Sequence, residues 1–346
     1  MKMRELINNA QAIVAPGKGI LAADESSGTI KKRFASINVE STEENRRNYR
    51  EMLFRTDGAN EFISGIILFD ETMRQNSALD GIPLVEVLQA QGIIPGVKVD
   101  KGTSRLAGAD GELITDGLDG LRERLEEYYE MGARFTKWRA VITIGDHIPS
   151  SYCIEANAHT LARYAVLSQE ASLVPIVEPE VLMDGDHTID RCLEVTEATL
   201  RAVYSQLNLQ RVKLEACILK PNMVLSGKDA FDRAGAEEVA EKTVLCFQRT
   251  VPASVPGVVF LSGGQSDEEA TVNLNAINKH ASATGAPWEM SFSFGRGLQA
   301  APLKVWRGSA ANVEEAKAAY YHRARVTSEA RMGSYIENEE EATATD

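Results

Sequence analysis

The sequence predicts an α/β chain folded as a single closed (β/α)8 barrel. Three observations carry that expectation. Eight strand-like segments, near residues 19–23, 63–69, 93–99, 134–143, 174–178, 213–220, 257–261 and 288–294, alternate with amphipathic helical stretches. No shift in composition divides the 346 residues into separate units. The G-x-G-x-x-G fingerprint of an open doubly wound sheet, the alternative architecture, is absent, and Gly17-Lys18-Gly19 precedes a strand instead of a helix. The barrel is assigned to residues 1–332. The acidic, aperiodic remainder, 333–346, is assigned to a mobile C-terminal tail.

The elements follow in order. Leu6, Ile7, Ala10, Ile13 and Val14 fall at helical spacing and predict an amphipathic N-terminal helix. It has neither the long apolar run nor the small-residue cleavage signal of a secretory peptide. After the first strand, Lys31-Lys32-Arg33 opens a helix just beyond Ser26 and Thr29. Leu118, Leu121, Leu125 and Tyr128 mark a helix before the fourth strand, with Gly132 as its stop. Ile189, Leu193, Leu200, Val203 and Leu207 mark another before the sixth. Val239, Thr243, Val244 and Phe247 mark a third, ended at Val251-Pro252, and Ala270, Leu274 and Ile277 a fourth.

Composition narrows the function. A net charge of -13 argues against general affinity for nucleic acid or an anionic membrane, so an anionic ligand has to be gathered by clustered basic residues. No apolar stretch reaches the length of a membrane span. The four cysteines are scattered without a C-x-x-C pair and read as buried thiols of a reducing compartment. The five histidines show no ligand spacing, and His147 and His187 sit in Gly-Asp-His turns, so no metal is expected.

The strand ends carry the chemistry, since in such a barrel sites form at the C-terminal ends of the strands. The apolar run Ala216-Cys217-Ile218-Leu219 closes on Lys220, and Pro221 stops it. Taken alone, Lys220 reads as a lysine snorkelling from a strand end. Its neighbours change that. Asp24 and Ser26 follow the first strand, the third carries Lys98, the fourth carries Lys137 and Arg139, and the fifth ends in Glu178 and Glu180. By period 2, Lys137 shares a face with Arg139, Glu178 with Glu180, and Lys220 with Ile218 and Ala216. An amine in a semi-desolvated mouth beside a second ammonium is a nucleophile toward carbonyls, and adjacent carboxylates can carry its protons. Ser262-Gly263-Gly264 after the seventh strand and Gly295-Arg296 after the eighth occupy the usual phosphate position of this fold.

Six runs on these strands, GILAADES at 19–26, GVKVDKG at 96–102, TKWR at 136–139, PIVEPE at 175–180, LKPNM at 219–223 and FLSGGQ at 260–265, closely resemble class I fructose-1,6-bisphosphate aldolase. The resemblance extends over about residues 5–325. It implies a metal-independent lyase of glycolysis and gluconeogenesis on a TIM barrel, cytoplasmic and homotetrameric, without a cofactor. Its substrates would be phosphorylated ketoses and trioses, with sedoheptulose 1,7-bisphosphate as a further one. The resemblance makes Lys220 the imine-forming lysine and Glu178 the acid/base of carbinolamine dehydration. It assigns carbon–carbon cleavage to Asp24 and charge balance to Lys137, and Glu180 joins this catalytic set. Ser262, Gly263, Gly264, Ser293, Gly295 and Arg296 would bind the ketone-side phosphate. Ser26, Thr29, Lys32, Arg33, Lys98 and Arg139 would lie near the other phosphate. The chain departs from animal members at its end, which is Asp346 after an acidic stretch instead of a tyrosine. A metal-dependent aldolase and a non-catalytic phosphosugar-binding barrel are the competing readings.

Overall fold

The structure is a computed structural model that describes residues 2–337. Its strands β1 (Gly19–Ala23), β2 (Ile63–Leu68), β3 (Ile94–Lys98), β4 (Phe135–Ile142), β5 (Val174–Val181), β6 (Ile218–Leu219), β7 (Gly257–Phe260) and β8 (Glu289–Phe294) form a closed barrel. Every pair is parallel, and β8 closes on β1 with Ile20 opposite Ser293. Parallel strands covered on both faces are apolar almost throughout, and β1, β2 and β7 are buried along their whole length.

Two strands differ from the expectation, for connected reasons. The sixth was expected at 213–220 but pairs only over Ile218–Leu219. Leu214–Ala216 is instead a 3-10 turn. The Gln169 side chain takes over its backbone groups, donating to the carbonyls of Lys213 (2.8 Å) and Ala216 (3.0 Å) and accepting from Lys213 N–H (2.9 Å). The fifth runs past 178 to Val181 and includes Pro179. Lys220 N–H donates to the Val177 carbonyl at 2.8 Å, so residue 179, two further on, faces the same side. The β6 ladder has ended there, and the proline's missing N–H costs nothing.

The interior is filled by size complementarity. Phe135 points inward, and a Cβ on Gly96 would lie 2.2 Å from its ring. The N-terminal helix, Met3–Ile13, plugs the lower mouth: Leu6, Ala10 and Ile13 join Ile20, Ile67, Ile176, Ile218 and Val259 in one apolar cluster. Cys217 and Leu219 belong to the outer cluster beneath the helices, whereas Ala216 and Ile218 face inward, as the period-2 reading required. With its lower end closed, the barrel is open only where β1–β8 finish.

A hairpin of Thr103–Arg105 and Leu113–Thr115 follows β3. Its three-residue strands are too short to leave a periodic signal. Thr115 Oγ1 donates to the Arg139 carbonyl at 2.7 Å, which braces β4 past its midpoint. The last helix is Val313–Arg331. Beyond it, the Ser334 and Tyr335 N–H groups donate to the Glu329 carbonyl (2.9 Å) and Asn275 Oδ1 (3.2 Å), and Tyr335 is buried. The rest of the expected tail, 338–346, lies outside the described residues. No helix among the described residues is long and apolar enough to cross a membrane.

Candidate active site

The strand ends open into one cavity of about 1260 Å³, lined by every site residue expected from the sequence except Lys32. The helix Ser27–Ala35 explains the exception. Thr29 and Arg33 are one turn apart and share a face, while Lys32, rotated by ~100°, is exposed outside the cavity. Of the basic triplet, only Arg33 reaches the site.

At the base of the cavity lie two lysines and two acids. In the ladder Arg139 sits opposite Glu178, so Lys137 and Glu178 both face inward on neighbouring strands. The two oxygens of Glu178 face different lysines. Lys220 Nζ is 3.2 Å from Oε1, and Lys137 Nζ is 3.3 Å from Oε2. Lys137 Nζ also sits 2.6 Å from Asp24 Oδ2. All four side chains are buried. Lys220 is held at its backbone by the N–H bond to Val177, and Pro221 continues the sheet by accepting from Leu261 N–H at 3.2 Å. Asn222 locks the turn, its Oδ1 accepting from Val181 N–H at 3.0 Å and its amide donating to Thr196 Oγ1 at 3.2 Å.

The electrostatics assign fixed charges. Burial alone pushes the Asp24 carboxyl up, but the ammoniums of Lys137, then Lys220 and Lys98, outweigh it and bring its pKa down to about 2. Burial pushes Lys137 down, and Asp24 with Glu178 and Asp100 more than reverses that, so Lys137 titrates well above the ordinary lysine range. At neutral pH the pair is a carboxylate and an ammonium.

A second layer of charge pairs surrounds this centre. Arg139 pairs with Glu180, and despite burial, which lowers it, its pKa is raised by that carboxylate. Lys98 Nζ pairs with Asp100 Oδ1 at 2.5 Å, and Asp100 Oδ2 accepts from Arg139 N–H at 3.3 Å. Arg33 pairs with Glu25. Glu25 and Asp100 line the cavity but were not chosen from the sequence. The signal was present, since each lies one or two residues from a chosen residue at a strand end.

The phosphate-type loop is built from both sides. Gly263 has φ +57°, a left-handed conformation that favours glycine. Ser266 caps the next helix, its hydroxyl accepting from Glu269 N–H at 3.0 Å, so the loop ends in an ordered turn. Arg296, at the start of the helix Arg296–Trp306, donates to the carbonyls of Gly263 (3.0 Å) and Gln265 (2.7 Å). This staples the loop after β7 to the end of β8. Ser262 and Ser293 are buried beside it, and among the described residues Ser293 Oγ has no hydrogen-bond partner.

The four cysteines are free and buried. Among the described residues no group of three or more His, Cys, Asp or Glu side chains is placed to hold a metal ion.

Known proteins share both the sequence and this barrel. Residues 5–346 match the family described as Fructose-bisphosphate aldolase class-I. A probable fructose-bisphosphate aldolase class 1 from Xanthomonas axonopodis pv. citri is 56% identical over 97% of this chain and 99% of its own length. Cytosolic fructose-bisphosphate aldolase 4 of Arabidopsis thaliana is 57% identical over 96% of this chain and 84% of its own. A solved structure of fructose-bisphosphate aldolase from Plasmodium falciparum, in complex with TRAP and a small-molecule inhibitor, superposes with a TM-score of 0.93 at 49% identity. It covers 96% of this chain and 95% of that one. Through this match along nearly its whole length, the chain belongs to the class I fructose-bisphosphate aldolase family of lyases.

Proposed function

We propose that the family's reaction, the reversible aldol cleavage of fructose 1,6-bisphosphate to dihydroxyacetone phosphate and glyceraldehyde 3-phosphate, runs here through an imine on Lys220. One observation carries this reading: a single carboxylate, Glu178, stands between two lysine ammonium positions, and Asp24 holds one of them. Lys137 is committed to two carboxylates and stays charged. Lys220, with Glu178 as its one ion-pair partner among the described residues, is the amine free to attack.

The steps follow from that division. Glu178 takes a proton from Lys220, and the freed amine adds to the ketone carbonyl to give a carbinolamine. Glu178 returns the proton to the carbinolamine oxygen, and water leaves. The resulting iminium is the electron sink. Asp24, ionised above about pH 2, accepts the proton of the C4 hydroxyl as the C3–C4 bond breaks and the aldehyde departs. The electron pair of that bond forms the enamine. Protonation at C3 and hydrolysis of the imine then release the ketone product. Lys137 balances the negative charge of Glu178 and Asp24 throughout, and the Arg139–Glu180 pair borders the same site. The ketone-side phosphate sits against Ser262, Gly263, Gly264, Ser293, Gly295 and Arg296. The far phosphate meets Ser26, Thr29, Lys98 and Arg139.

Exchanging Lys220→Met is expected to leave phosphosugar binding, read by calorimetry, intact and to abolish turnover. Retained turnover would mean that another lysine forms the imine.

The cavity exceeds the ~300–1,000 Å³ usual for one small ligand and continues past Lys98 toward Lys101 and Arg124. That space supports sedoheptulose 1,7-bisphosphate as a second substrate, and absence of its cleavage at saturating concentration would refute this. The protein is assigned to the cytoplasm, a reading supported by relatives named cytosolic or cytoplasmic, and to a homotetramer, the state implied by the family resemblance. Sedimentation velocity at micromolar concentration is expected to give about four times the chain mass of 37.8 kDa, and a monomer would overturn the tetramer.

A further inference from the structure

We infer that Gln299 is a positioning residue for phosphate binding: together with Glu25 it holds the Arg33 guanidinium beside Gly295, so that Arg33 and Arg296 serve the same phosphate. The inference rests on the reading that the ketone-side phosphate sits at Ser262–Gly264 and Gly295–Arg296, and it moves Arg33 from the far phosphate to the near one.

Gln299 lies three residues after Arg296 and is 1% exposed. It does not line the cavity. Its amide has two N–H donors. Nε2 donates to the Ala22 carbonyl at the end of β1 (2.7 Å) and to Glu25 Oε1 (2.8 Å). The same Glu25 oxygen accepts from Arg33 Nη1. From the other side the buried Arg50 donates to the Glu25 carbonyl at 2.8 Å. Glu25 is therefore fixed from behind by Gln299 and Arg50, and in front it carries Arg33, which does line the cavity.

The position of Arg33 follows. A Cβ built on Gly295 would lie 3.7 Å from Arg33 Nη2 and 3.4 Å from the Ala22 carbonyl. The guanidinium therefore stands directly beside the residue that opens the Arg296 helix. Among the described residues Nη2 has no acceptor, so its hydrogens are available to an anion at Gly295. Arg296 already spends two bonds on the Gly263 and Gln265 carbonyls. A second guanidinium at the same phosphate adds charge-assisted bonds to those that the three remaining N–H groups of Arg296 can make. Gln299 carries this arrangement because it sits on the Arg296 helix while bonding to β1 and Glu25. One side chain thus keeps Arg33 in register with the phosphate loop.

The test compares fructose 1,6-bisphosphate with fructose 1-phosphate, which bears the ketone-side phosphate only. Gln299→Met keeps the length and removes both donors. We expect KM to rise about tenfold for both substrates, with kcat within threefold of the parent. Glu25→Gln, which lifts the charge that holds Arg33, is expected to do the same. In an Arg33→Ala background Gln299→Met is expected to change KM by less than twofold. A rise confined to the bisphosphate, a fall in kcat with KM unmoved, or a full effect without Arg33 would each overturn the inference. Arg296→Ala separates this from the underlying reading. If that variant leaves both KM values unmoved, the phosphate site itself is misplaced. If it raises them while Gln299→Met does not, the role of Gln299 alone falls.

Discussion

Glu178 and Asp24 are both buried carboxylates, yet Lys137 binds them to different tasks. Asp24 has its lysine at 2.6 Å, and its pKa lies below its ordinary value of 3.8, at about 2. Because the folded value is depressed, the Asp24–Lys137 pair contributes stability that is fully present above about pH 4 and lost as pH falls through about 2. Asp24→Asn is therefore expected to be clearly less stable than the parent at pH 7, and the gap to close as acid is added. Denaturant titrations at pH 7 and pH 2.5 check this, and a gap that widens in acid would contradict it. Most of these residues were legible in the sequence because a charged side chain directly after an apolar run has few explanations. Lys220 and Glu178 stood out for that reason. Lys32 did not yield to the same logic, since a nine-residue helix with three consecutive basic residues does not reveal which of them turns inward. Glu25 sits next to Asp24 at a strand end, but its bonds to Arg33, eight residues on, and to Gln299, far from it in sequence, leave no local pattern.

The elements show where periodicity runs out. Long buried strands and amphipathic helices announce themselves, and the first strand was placed to the residue, at Gly19–Ala23. The sixth was overestimated because residues 213–216 look like a strand, while Gln169, on a helix some 44 residues earlier, satisfies their backbone in a turn. A pattern reading stops the fifth before Pro179, a proline that the strand tolerates because its neighbour β6 has already ended. No local pattern holds either fact. Interior packing is similarly non-local, with Gly96 small because Phe135 is large. Gly96→Ala is expected to cost ~1–3 kcal/mol, and Gly96→Ala with Phe135→Leu to recover part of it. Chemical denaturation of the three proteins decides, and an unchanged single variant would show that the barrel interior has room to spare.

At the scale of the whole molecule, a chain of net charge -13 handles doubly anionic sugars. The barrel resolves the conflict by concentrating basic side chains from β3, β4, the residue after β6 and the helices after β1 and β8 at one mouth, each paired with a carboxylate or a carbonyl. Bulk charge repels such substrates while local donors capture them, so capture rests on short-range hydrogen bonds. The closed lower end, plugged by Leu6, Ala10 and Ile13, leaves this mouth as the way in to the lysines. All of this serves one claim, that Lys220 forms a covalent imine with a ketone substrate. Borohydride reduction in the presence of dihydroxyacetone phosphate, followed by intact-mass and peptide analysis, tests it most directly. One reduced adduct per chain is expected, located on Lys220, with loss of activity in proportion; full activity and unchanged mass after the treatment, or an adduct on Lys137 instead, would contradict the imine on Lys220.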